Sequence, residues 1–210
     1  MIPIENLLAF VLAAVIIIVV PGPSVLFVVG RSIALGRRAG VISVVGNSLG
    51  TLPAILAVAL GVGAVVAASM PVLTAVRIAG ALYLVWLGLQ AIRHRHAHAN
   101  HESRVPMSTR MLLRQGFVVG ITNPKTIAFF LAVLPQFVDP AAGPVWAQLL
   151  LLGILFEALA VTSDAIWALA AGTARAWFAT SPGRISALST TGGVVMIGLG
   201  GALAVSGSRT

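Results

Sequence analysis

Residues 117–131 read FVVGITNPKTIAFFL, an apolar run of bilayer-crossing character with Asn123, Pro124 and Lys125 near its middle. A hydrocarbon core disfavours all three. Proline removes a helix hydrogen bond, and a lysine at such depth costs about 2.5–3.5 kcal/mol on insertion scales. The backbone groups freed by the break must find partners inside the protein or line a wet cavity. A second run is interrupted in the same manner at residues 19–25, VVPGPSV. Whether these two breaks are equivalent decides the fold.

The surrounding sequence is that of an integral membrane protein. Of 210 residues, 59% are hydrophobic and 9% charged, and the mean hydropathy is +1.04. Apolar runs of about 20 residues, the length that crosses a bilayer, recur along the whole chain. Run length and the lack of short alternating segments indicate helices rather than a β-barrel. Six helices are expected, at residues 4–29, 41–68, 72–93, 112–138, 145–171 and 185–205. The first is broken at Pro21, Gly22 and Pro23, and the fourth at Asn123 and Pro124. Glu5, with no lysine or arginine before it, indicates a retained first helix rather than a cleaved leader.

Charge gives the orientation. Arg31, Arg37 and Arg38 fall between the first two runs. Arg93, Arg95, Arg104, Arg110 and Arg114 fall between the third and fourth, and Arg175 and Arg184 between the last two. The positive-inside rule makes those three loops cytoplasmic and puts both termini on the periplasmic side. The net charge of +8 is then explained by basic loops against anionic membrane lipid, not by nucleic acid. Without cysteine, disulfides and thiolate metal sites are excluded.

Each half of the chain holds three helices, an odd number, so a repeat must be inverted. Residues 1–93 form the first three-helix repeat, 94–111 a cytoplasmic linker rich in His and Arg, and 112–210 the second repeat. Paired Gly/Pro-interrupted spans in two such halves mark a transporter's binding site. The plainer reading of each break is a packing kink. As a site, each break opens a half-helix with unpaired N–H groups and a positive dipole end, suited to a carboxylate. Those half-helices begin at Ser24 and at Thr126, and Gly22 permits a close approach.

Three charged residues lie within the spans. Lys125 is a ligand for a carboxylate, a partner for an acid, or a side chain snorkelling to the interface. Glu157 and Asp164 are seven residues apart, two turns, so they share a helix face. They suit an amine site or a proton relay, or else a structural ion pair with Lys125 or Arg77. Asp164, beside Thr162 and Ser163, is the better hydrated position of the two. In GNSLGTLP (residues 46–53), Gly46 and Gly50 have the spacing of a close helix crossing. Asn47 either bonds across helices or reaches substrate. The segment RHRHAHANH (residues 93–101) invites a metal-collecting role, but it lacks thiolates and any HExxH spacing and reads better as a solvated basic connector. No phosphate-cradling loop, nucleophile–base set or metal-ligand motif is present, so neither an enzyme nor a cofactor is expected.

Three stretches together resemble the LysE/RhtB-type bacterial amino-acid exporters along essentially the full length. They are PGPSVLFVVGRSIALGRRAGVISVVGNSLG from Pro21, IAGALYLVWLGLQAIR from Ile78 and RQGFVVGITNPKTIAFFLAVLPQFVDP from Arg114. The resemblance implies an inner-membrane secondary carrier that exports small amino acids or their derivatives, energised by the proton motive force. It puts family weight on Pro21, Gly22, Pro23, Gly46, Gly50, Gly80, Tyr83, Gly88, Asn123, Pro124, Lys125, Pro135 and Gln136. Asp164 fits the family's polar position ahead of an aromatic. The expected substrate site comprises Pro21, Gly22, Pro23, Ser24, Asn47, Asn123, Pro124, Lys125, Thr126 and Gln136. Asp164 and Glu157 are the expected proton-coupling residues. A divalent metal exporter of the same broad superfamily is the alternative, and the glycine-lined faces permit a homodimer.

Overall fold

The computed structural model describes residues 2–62, 70–93, 107–174, 177 and 181–205, and among these every regular element is helical. The helices are α1 (Ile4–Val19), α2 (Pro23–Leu35), α3 (Arg37–Ala57), α4 (Met70–Arg93), α5 (Thr109–Ile121), α6 (Pro124–Ala132), α7 (Val145–Thr173) and α8 (Pro182–Val205). A π-helical turn, Val58–Val62, extends α3, and 3-10 turns at Leu134–Phe137 and Pro140–Ala142 lead from α6 toward α7.

Both expected breaks are present, and they share a design. Each downstream half-helix has proline at its first position, Pro23 in α2 and Pro124 in α6. There the missing N–H costs nothing and φ is already helical. The two differ in sharpness. The α1–α2 pair bends by 46°, whereas Thr109–Phe137 runs on as one span. With Arg37–Gly61 and Val145–Thr173, three helices among the described residues are long and apolar enough to cross a membrane, and the bent α1–α2 pair makes a fourth if it is one span. Helices α4 and α8, of 24 residues each, are about 36 Å long, which also exceeds the hydrocarbon thickness.

The first loop is shorter than the sequence indicates. Arg31, Arg37 and Arg38, all placed there, lie in helices, Arg31 inside α2 and the other two at the start of α3, and the connection is Gly36 alone. Its φ of 89° is open to glycine at little cost, so the chain reverses in a single residue. The apolar run ended before the helix did.

Helix α3 is central, packing on α2, α5 and α7, while α4 packs on α8 and α6. The α3–α5 crossing is made by glycines from both sides. A Cβ on Gly46 or Gly50 would strike the α5 backbone at Leu113 or Phe117, and one on Gly116 or Gly120 would strike the α3 backbone at Ser43 or Asn47. Small residues at this spacing let two backbones meet directly. The main apolar core lies toward the Glu5 and Asp139 end, with Phe10, Phe129, Phe130 and Phe156 in one ring-to-ring cluster. Leu8, Leu12, Leu60 and Ile166 point outward, as lipid-facing side chains do.

Candidate functional site

Breaking a helix at Pro21 leaves the last carbonyls of α1 without their usual donors. Two of them are recovered from the other half of the chain. The Lys125 ammonium donates to Ile17 O and Val20 O, each at 2.9 Å. Lys125 is 5% exposed, so it does not snorkel, and neither bond goes to an acid. Gly22 makes room for it: a Cβ there would lie 3.1 Å from the lysine Cδ, Cε and Nζ. The close approach expected at Gly22 is therefore that of the Lys125 stem.

From the second break a directed line of hydrogen bonds crosses the protein. Asn123 caps α6, its Oδ1 accepting from Lys125 N at 3.1 Å. Its amide donates to Ser24 Oγ at 2.6 Å, and the Ser24 hydroxyl donates to Asn47 Oδ1 at 3.0 Å. Asn47 Nδ2 then donates to Asp164 Oδ2 at 3.3 Å. Every link donates toward Asp164, and an ionised carboxylate can only accept. All four side chains are buried, where such a network polarises along its length and an unmade bond is costly. Asn47 thus bonds across helices, joining α2 to α7.

Around this line lies a cavity of ≈ 30 Å³, bordered by Ser24, Asn47, Asn123, Lys125, Glu157 and Asp164. It has room for about two waters, far less than an amino acid needs. Asp164 and Lys125 interact electrostatically across it. Thr126 also faces the cavity. Pro21, Pro23 and Pro124 contribute backbone geometry instead of cavity wall. Gln136 stands apart. It lies on the 3-10 turn beyond α6 and bonds back to Ala132 O at 2.5 Å, so the structure does not bring it to the site. The side chain of Arg77 and the histidines of 94–101 lie outside the described residues.

Sequence reasoning gave no role to Ser48 and Thr51, which border the cavity one and two turns from Val44 on α3. Their spacing from Asn47 within GNSLGTLP was the available signal. The Ile17 and Val20 carbonyls carry no side-chain signal and were legible solely as the groups a proline would free. Among the described residues no group of three His, Asp or Glu side chains is placed to hold a metal ion.

Comparison with known proteins places these features in context. The family described as LysE type translocator matches residues 15–207. A membrane protein of Vibrio cholerae is 35% identical over 202 residues, covering 94% of this chain and 95% of its own. A homoserine/homoserine lactone efflux protein of Salmonella typhimurium is 31% identical over 93% of this chain and 94% of its own. A leucine efflux protein of Enterobacter sp. is 32% identical over 72% of each. No solved structure matches.

Proposed function

The chain belongs to the LysE type translocator family, and from that premise we propose that it is a secondary exporter of a small, uncharged amino acid or a close derivative. The family is one of translocators, so the protein is a transporter and not an enzyme. The relatives named for leucine and homoserine efflux supply the substrate class. The observation that carries the reading is the Asn123–Ser24–Asn47–Asp164 line, which joins two broken helices around a polar cavity inside the apolar spans.

Substrate carboxylate and ammonium find complementary groups there. The start of α2 is the better anion receptor of the two half-helices. Gly22 offers it no side-chain cap, whereas Asn123 already occupies the start of α6. The carboxylate therefore sits at the Ser24 end, beside Lys125, and the ammonium meets Asp164. One cation and two acids border the cavity, so a single proton on Asp164 or Glu157 neutralises it. Proton antiport follows if that proton and the substrate's ammonium compete for Asp164.

Alternating access is the mechanism that fits a site reached through two equivalent breaks. In this reading residues 1–93 and 112–210 are inverted three-helix repeats, six spans in all. Three features support it: the paired N1 prolines, the bonds from Asn123 and Lys125 into the opposite break, and the α3–α7 and α4–α8 pairings, each self-matched under the exchange. The protein would lie in the bacterial inner membrane with both termini periplasmic. Proteoliposomes loaded with labelled leucine and homoserine test the assignment. Saturable efflux driven by an imposed pH gradient is expected, and Asp164→Ala or Lys125→Ala at full wild-type rate would remove the site.

A further inference from the structure

A second, larger hollow lies between α2 and α5, away from the polar cavity. It measures ≈ 390 Å³ and is bordered by Phe27 and Arg31 of α2 and by Met111, Arg114, Gln115, Val118 and Val119 of α5. Its two ends differ in chemistry. Arg31, Arg114 and Gln115 form its polar part, and Phe27, Val118 and Val119 form an apolar part deeper in the span, with Met111 49% and Val118 52% exposed. The hollow therefore opens sideways from the helix bundle, on the surface that faces lipid.

Among the described residues neither arginine meets an acid. Arg31 donates to Gln115 Oε1 and, at 2.8 Å, to the Met107 sulfur, and its guanidinium lies 5.2 Å from the Phe27 ring centre. These neutral partners fix its position and leave its charge uncompensated. Arg114 is exposed. Of the five acids in the chain, Glu5 and Asp139 lie toward the opposite end and Glu157 and Asp164 lie in the polar cavity. Glu102, the fifth, lies outside the described residues.

We propose that this hollow is a binding site for one anionic phospholipid. Arg31 and Arg114 hold its phosphodiester, and Phe27, Val118 and Val119 cover the upper part of an acyl chain. Guanidinium groups pair with phosphate in a planar, two-pronged geometry, and basic hollows between spanning helices suit anionic headgroups. The apolar wall below the arginines selects a lipid over a soluble phosphate. The site needs the chain to be in a membrane but is independent of which amino acid it carries.

The test uses the full-length protein in non-ionic detergent, titrated with phosphatidylglycerol, with phosphatidylcholine of identical chains, and with glycerol 3-phosphate. Native mass spectrometry reads retained lipid, and a thermal melt reads stabilisation. Phosphatidylglycerol should be retained and should raise the melting temperature, with the other two ligands inert. Arg31→Gln and Arg114→Gln should each weaken retention about fivefold, whereas Arg110→Gln, on the same helix but outside the hollow, should not. Arg114 is exposed, so its variant tests the site without disturbing the fold. Equal retention of both lipids, an unchanged affinity in Arg114→Gln, or glycerol 3-phosphate competing as well as the lipid would overturn the proposal.

Discussion

Lys125 illustrates how a charge can be held within a membrane protein by backbone carbonyls in place of a direct ion pair. Its ammonium replaces the donors that Pro21 removed from α1, so the proline and the lysine, in opposite halves, compensate one another. Lys125→Met keeps the stem's bulk and strands the Ile17 and Val20 carbonyls. A loss of about 3 kcal/mol is expected, since bonds from charged donors contribute about 1.5–3 kcal/mol each. Thermal melts in detergent read this directly, and a melting temperature equal to wild type would show that the carbonyls find other partners. Asp164→Asn separates structure from coupling. The asparagine Oδ1 still accepts from Asn47, so the fold should survive, while substrate exchange should weaken because the ammonium loses its charged partner. Efflux driven by a pH gradient should fall to the rate seen without one, and retained stimulation would transfer the proton to Glu157. Sequence alone identified both residues as charges needing a partner. It did not identify the partner of Lys125, because a backbone carbonyl has no residue type to read.

At the scale of elements, the α3–α5 crossing sets how close the polar line can come. Asn47 lies between Gly46 and Gly50, the positions where α5 touches the α3 backbone. A side chain added there does not meet a rotamer that can turn aside; it meets backbone. Gly116→Val and Gly120→Val should each destabilise by about 1–3 kcal/mol or more, as overpacking does, and should cost transport by moving Asn47 off Ser24 and Asp164. Gly198, on α8 with open space around it, provides the contrast: Gly198→Ala should leave melting temperature and flux unchanged. Comparison of the two classes by expression level and melt decides whether spacing alone governs. Much of this layer was legible in the sequence. The four-residue glycine spacing and the paired prolines are periodic signals that need no long-range information. The extent of α2 was not legible, because Arg31 ends an apolar run without ending a helix, and Gly36 shows its positive φ in the structure alone. Gln136 lies away from the cavity for a related reason. A motif places a residue in a segment, but the 3-10 turn that points its amide back at Ala132 is a matter of tertiary closure.

For the whole molecule, the proposed mechanism reads the polar cavity and its two seals as a carrier with its site contracted. A space of ≈ 30 Å³ cannot hold an amino acid, so on the proposed reading the helices separate for substrate to enter. The seals are unequal. Toward the Glu5 and Asp139 end, the large core cluster closes over the cavity, sharing Phe156 with its wall, and Phe10 meets Phe137 edge-on at 5.5 Å between ring centres. Toward the arginine end, the buried clusters are small, Val25 with Val29 and Ala171, and Val28 with Val44 and Ala168. Less apolar surface must be exposed to part the arginine end, so that side opens more readily from this conformation. Release on the other side requires α1 to move from the turn after α6, where Asn6 Nδ2 donates to Phe137 O at 3.3 Å. The chain has no cysteine, so a pair introduced as Asn6→Cys and Phe137→Cys can be bridged by a short reducible bis-thiol reagent with no other site of reaction. Bridging should stop net efflux from proteoliposomes while leaving substrate binding, read by scintillation proximity, intact; reductant should restore flux. Each single-cysteine variant treated in the same way should transport normally. If the bridged protein exports at the unbridged rate, the aromatic end does not part during the cycle and the proposed rocking of one repeat against the other is wrong.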